Sequence, residues 1–176
     1  MVTVDGYFAG PNGEIDWHVV DKEFNEYAKE MLESVDTLLF GKITYDLMAG
    51  YWPTDAGIQD SPVIAKAMNS LAKIVFSKTL KKADWKNTKI MKEINPEEIK
   101  KLKEQPGKDM VILGSGIIVD QFTNLGLIDE YRLIVNPVIL GKGKPLFKDV
   151  DRSIKLKLLK TKTFKSGNVL LYYQPV

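Results

Sequence analysis

The chain has 176 residues, 44% hydrophobic and 27% charged, with 25 Lys and Arg against 23 Asp and Glu and no cysteine. A domain of this length buries about 70% of the surface its unfolded chain exposes, so it folds without staples, and the lack of cysteine excludes disulfides, thiolate metal sites and thiol nucleophiles together. A net charge of +2 gives no argument for nucleic acid, and no apolar run approaches the length that spans a bilayer.

Val2 to Ala9 reads as the first strand, and its abrupt start leads to the expectation that the natural chain begins a few residues upstream of Met1. Asp5 interrupts the apolar stretch near the start, so no secretory signal is expected and the cytoplasm is the default location. Gly10-Pro11-Asn12-Gly13 forces a turn that opens a loop through Trp17. His18 is the only histidine, and neither H-E-x-x-H nor G-x-S-x-G accompanies it, so a zinc site or a Ser-His-Asp triad is not expected. A helix follows, capped by Asp21, with Phe24, Ala28, Met31 and Leu32 along one face. Thr37 to Phe40 is an apolar strand stopped by Gly41, and a short helix from about Thr44 carries Tyr45, Leu47 and Met48.

Tyr51 to Gln59, rich in Gly, Pro, Asp and Trp, reads as a loop, and Pro62 opens the next helix. Ile74 to Phe76 is a third apolar strand, ending in Ser77-Lys78-Thr79. The stretch from Lys78 to Lys92 places six lysines around Trp85 without an arginine or a motif, and is read as a solvated connection rather than a nucleic-acid surface. Asn95-Pro96-Glu97-Glu98 starts a helix that Pro106-Gly107 closes. Val111 to Leu113 is an apolar strand that runs through Gly114-Ser115-Gly116 into a helix bearing Ile118, Phe122 and Leu125 and ending at Gly126. Tyr131 to Val135, Lys155 to Thr163 and Val169 to Tyr173 then read as strands, the last two a hairpin around Ser166-Gly167-Asn168. No linker is long enough to divide the chain, so residues 1–176 are expected to form one α/β domain whose mixed, mostly parallel sheet ends in antiparallel strands.

Three apolar strands end alike, in Gly41-Lys42-Ile43-Thr44, in Ser77-Lys78-Thr79 and in Gly114-Ser115-Gly116-Ile117. Small residues let a backbone pass close to a ligand, and the free N–H groups of a following helix favour an anion. If the strands are parallel, all three exits fall on one sheet edge, and a long ligand with several phosphates fits them better than a mononucleotide. Glycine after a strand also simply makes turns, and Ser or Thr also simply cap helices, so each exit alone is equally open to a structural reading. The Rossmann fingerprint fails, because Val119 stands at its third glycine position and no acidic strand end follows at the expected distance. Asp5, a carboxylate beside Gly6 in an otherwise apolar strand, is the acidic residue most suited to gripping a ligand; the alternative is a strand-end residue bonded to nearby backbone.

Four segments carry a family resemblance: Thr3 to Ala9 with Ile15-Asp16-Trp17; Leu39 to Tyr45; Leu113 to Gly116; and Gly126 to Tyr131 leading to Pro137–Phe147. In this order and spacing the chain resembles the dihydrofolate reductase-like superfamily, and within it the reductase domain of riboflavin biosynthesis. The resemblance implies a three-layer dihydrofolate reductase-like fold and an NADPH-dependent oxidoreductase. It would transfer hydride to a C=O or C=N bond of a pterin-like, pyrimidine or related small heterocycle, as a 5-amino-6-(5-phosphoribosylamino)uracil reductase does. It also implies that Gly41, Lys42, Thr44, Ser77, Lys78 and Thr79 hold the adenosine end and 2′-phosphate of NADPH, and that Gly114, Ser115, Gly116 and Ile117 cradle the pyrophosphate. Lys42 stands where the family more often has arginine. On the substrate side the resemblance points to Asp5, Gly6, Trp17 and Tyr45, with Asp5 and Asp16 as the candidate catalytic carboxylates, protonation coming from Asp16, from Asp21 or through water, no metal, and the Gly10 to Asp16 loop excluding water. The expected partners are a small-molecule substrate and a second subunit in a homodimer, paired by strands near Gly141-Lys142-Gly143-Lys144. The alternative is a nucleotide-binding protein on the same fold without efficient reductase activity.

Overall fold

The computed structural model describes residues 1–176. In chain order its elements are β1 (Val2–Thr3), β2 (Tyr7–Ala9), α1 (Lys22–Glu33), β3 (Val35–Gly41), α2 (Lys42–Ala49), α3 (Asp55–Asp60), α4 (Pro62–Ser70) and β4 (Ala72–Phe76). They continue as β5 (Thr88–Met91), α5 (Pro96–Lys103), β6 (Asp109–Gly114), α6 (Gly116–Asn124), β7 (Tyr131–Asn136), β8 (Lys144–Pro145), β9 (Leu156–Thr163) and β10 (Val169–Pro175). The chain divides into two compact units, one of Met1–Glu26 with Asp120–Val176 and the other of Tyr27–Val119.

The Tyr27–Val119 unit is built on a four-stranded sheet in the order β5-β4-β3-β6, parallel throughout. Continuous apolar runs suit such strands, since helical crossovers cover both faces. Leu38, Phe40 and Val75 are fully buried and pack with Leu32, Tyr45, Ile64, Met68 and Trp85. Proline at the first turn of α4 and the Asn95 side chain accepting from the Glu97 and Glu98 amides at α5 are the sequence signals at work.

Two expectations fail in this unit. The segment 51–59 is not all loop: Asp55–Asp60 forms a helix capped by Thr54, whose hydroxyl accepts from the Gly57 amide. Gly57 permits it, because a Cβ there would meet the Tyr51 carbonyl oxygen. The lysine-rich stretch is not a merely solvated connection either, since it contains β5 and its Trp85 is buried. Trp85 donates its indole N–H to Asn69 at 2.7 Å, and Lys73 lies over its ring at 4.6 Å. Lys73 itself is 1% exposed and donates to the Leu71 carbonyl at 2.6 Å; burial lowers its ammonium pKa to about 8.

The other unit carries a four-stranded sheet in the order β1-β7-β10-β9. β1 runs parallel to β7, and β7, β10 and β9 run antiparallel, so the expected hairpin around Gly167 is present. The expected single strand from Val2 to Ala9 is broken. Gly6, at φ +84°, turns the chain back with its amide bonded to the Thr3 carbonyl, and β2 leaves to pair with β8. One unit thus carries a parallel sheet and the other an antiparallel hairpin, both in an α/β chain.

Candidate functional site

The three strand exits meet at one edge of the parallel sheet. β3 lies between β4 and β6, and the register sets Gly41 opposite Phe76 and Phe40 opposite Gly114, so the chain leaves all three strands at the same level. Two helices open there. α2 starts at Lys42 behind Gly41, whose position carries no side-chain cap, and α6 starts at Gly116 behind Ser115, whose carbonyl accepts from the Ile118 and Val119 amides. The first-turn N–H groups of such helices have no partner of their own and present a positive dipole end.

The two helix starts interlock through their glycines. A Cβ on Gly41 would stand 2.7 Å from the Ser115 hydroxyl oxygen, and a Cβ on Gly114 would stand 2.8 Å from the Thr44 hydroxyl oxygen. Gly114 also holds φ +137°, a backbone that L side chains rarely adopt, and its bond to Ser115 is cis. Both positions therefore require glycine: the Ser115 and Thr44 side chains fill the space a Cβ would take and set the two helix starts side by side, as a cradle of first-turn N–H groups.

Around this cradle the polar groups are unequal. Lys42 is half exposed but bound to Asp46 at 2.5 Å, one helical turn on, so its charge is shared. Lys78 and Thr79 are exposed. The Ser77 hydroxyl is committed to the turn itself, accepting from the Thr79 and Leu80 amides at 3.2 and 3.0 Å. Ile43 and Ile117, each the second residue of its helix, are 65% and 59% exposed and offer apolar surface beside the N–H groups. Tyr45 is turned inward: it is 4% exposed, accepts from the Trp85 amide, and lines a cavity of about 700 Å³ with Asp46, Asn69, Lys82, Asp84 and Trp85.

Asp5, Gly6, Asp16 and Trp17 belong to the other unit. The exposed Asp5 carboxylate accepts from the Thr3 hydroxyl at 2.6 Å and from the Gly141 and Leu140 amides at 2.8 and 3.3 Å. The Thr3 hydrogen bond leads in holding its pKa below the usual carboxylate range, with the two amides adding to it. Asp5 thus ties the turn after β1 to the 140–141 loop, the strand-end alternative that the sequence left open. The Gly10–Glu14 turn closes on itself through Gly10 N–H to the Glu14 carbonyl at 2.8 Å, and Asp16 is exposed beyond it.

Trp17 and His18 meet edge to face with centroids 4.4 Å apart, and the Trp17 indole nitrogen and His18 Nε2 are buried without hydrogen-bond partners. Burial, aided by the Met1 amino group, lowers the His18 pKa to about 4. Two fully buried asparagines, absent from the sequence reading, fix this segment. Asn136 accepts from the Val19 amide at 3.0 Å and Asn168 donates to the Val19 carbonyl at 3.0 Å. Asp46 was also missed, although an acid four residues after Lys42 on a helix is a readable signal.

Residues 1–170 match the family described as the RibD C-terminal domain. The chain is 41% identical over 176 residues to the uncharacterized protein YyaP of Bacillus subtilis, across 98% of this chain and 90% of that one. Among solved structures it is similar to a Thermotoga maritima protein, a diaminohydroxyphosphoribosylaminopyrimidine deaminase/5-amino-6-(5-phosphoribosylamino)uracil reductase. That match has a TM-score of 0.68 at 18% identity, over 99% of this chain and 54% of that one. It is likewise similar to the dihydrofolate reductase of Enterococcus faecalis, solved with NADP(H), with a TM-score of 0.64 at 16% identity over 99% and 92% of the two chains.

Proposed function

Since this chain belongs to the family of RibD C-terminal domains, we propose that it is an NADPH-dependent reductase of riboflavin- or folate-type metabolism. Its substrate would be a pterin-like, pyrimidine or related small heterocycle with a reducible C=O or C=N bond. The observation that carries this reading is the reciprocal packing of Gly41 on Ser115 and Gly114 on Thr44, which brings two helix starts and their first-turn N–H groups side by side. Such a cradle fits a pyrophosphate flanked by N–H groups. Bound there, NADPH would supply the hydride. The Gly114–Ile117 turn and the first turn of α2 would hold its phosphates, Lys42 and Lys78 would meet the 2′-phosphate, and Ile43 and Ile117 would shield apolar faces from water.

The substrate named in the Thermotoga protein, 5-amino-6-(5-phosphoribosylamino)uracil, is the first to test. Asp5, Gly6, Asp16, Trp17 and Tyr45 are the candidate substrate residues. Of the two carboxylates Asp16 is the one to test as proton carrier, because Asp5 is engaged by three donors that lower its pKa. His18 is neutral at pH 7 and cannot donate as an imidazolium. One observation favours the second reading, a nucleotide-binding protein without efficient turnover: the Asp5 carboxylate is already engaged by three donors.

The test follows NADPH oxidation with this substrate, dihydrofolate and a pterin panel. Turnover that falls at least tenfold in Asp16→Asn supports the reductase. NADPH binding without turnover on any of them supports the second reading.

A further inference from the structure

We propose that the free edge of β9 is a docking strand for an extended acidic segment of another protein. β9 closes one side of its sheet, pairing with β10 alone, and all eight of its residues are exposed. Its outer edge therefore offers unpaired backbone N–H and C=O groups over a length that adds a strand.

The two faces of that strand differ. Register places Lys157, Lys160 and Lys162 opposite Gln174, Tyr172 and Leu170, and Leu156, Leu158, Thr161 and Thr163 opposite Pro175, Tyr173, Leu171 and Val169. Directly opposed residues share a face, so one side is a row of lysines and the other is leucine and threonine. Lys160 lies over the Tyr172 ring at 4.2 Å and Lys162 over the Phe164 ring at 5.2 Å, which holds both cations against the sheet. Leu156, Leu158 and Leu159 are 38%, 49% and 45% exposed. Residues 152–176 hold Arg152 and Lys155, Lys157, Lys160, Lys162 and Lys165 and no Asp or Glu, although the whole chain carries only +2.

These features select the occupant. A second copy paired β9 to β9 would bring like lysines together, and the irregularity at Leu159 further spoils a long self-match. Nucleic acid would use the lysines but leave the leucine face and the backbone edge unmatched. A segment alternating acidic and apolar residues satisfies all three: backbone to the edge, carboxylates to the lysine face, apolar side chains to the leucines.

A fluorescent peptide of four Glu-Val repeats tests this on the full chain. The expected result is binding that weakens about tenfold when Lys157, Lys160 and Lys162 are all changed to Gln, with slowed hydrogen exchange at the 156–163 amides. Leu158→Asp, a single exposed change on the other face, should weaken it as well. A Ser-Val peptide binding equally well, a thymine oligonucleotide binding more tightly, or unslowed exchange at 156–163 would each overturn the proposal. So would self-association of the free protein that Lys160→Glu abolishes.

Discussion

At the residue scale Gly41 and Gly114 let the two helix starts of the site pack together. Gly114 combines positive φ with a Thr44 oxygen 2.8 Å from any Cβ, whereas Gly126, at φ +64°, has nothing near that position. Gly114→Ala should cost about 1–3 kcal/mol in urea unfolding and weaken NADPH binding, while Gly126→Ala should cost less and leave binding unchanged. Equal effects of the two would contradict the cradle.

Lys73 makes a second residue-scale prediction. Its ordinary pKa of 10.5 in the unfolded chain becomes about 8 in the fold, so between those values the unfolded state binds more protons. Stability should therefore rise as pH climbs from about 8 to 10.5, and Lys73→Met should flatten the rise. Urea unfolding across that range checks it, and an undiminished rise in the variant would contradict it.

At the element scale the long signals were legible and the short ones were not. Asn95, Asp21 and Pro62 announced their helices because capping is local chemistry, and Asp21 indeed accepts from the Phe24 amide at 2.8 Å. β5 was hidden because Thr88-Lys89-Ile90-Met91 is a short edge strand whose lysine reads as surface. α3 was hidden because its six residues include a glycine needed for close approach to Tyr51. The three exits were readable as an edge, since apolar runs ending in small residues predict parallel strands.

The asparagines that pin Val19 gave no local signal, being placed by contacts over more than a hundred residues. Asn168→Ala leaves the Val19 carbonyl without its donor and should cost about 1–3 kcal/mol. It should leave NADPH affinity unchanged, because Asn168 and the cradle belong to different units. Calorimetry on the variant checks both, and a large loss of affinity would contradict the separation.

At the scale of the whole molecule, family and fold were legible because four motifs kept their order along the chain, and residues 1–170 match that family. The division into two compact units was not, since the pairing of β1 with β7 joins residues far apart in sequence. No helix is long and apolar enough to cross a membrane.

The central claim is that the interlocked strand exits hold NADPH, with Lys42 released from Asp46 to meet its 2′-phosphate. Calorimetric titration of the wild type and of Asp46→Asn with NADPH and NADH tests it most directly. Wild type should bind NADPH, and Asp46→Asn should bind it several-fold more tightly with NADH unchanged, because a freed lysine gains on the phosphate alone. Failure of the wild type to bind either dinucleotide would contradict the account.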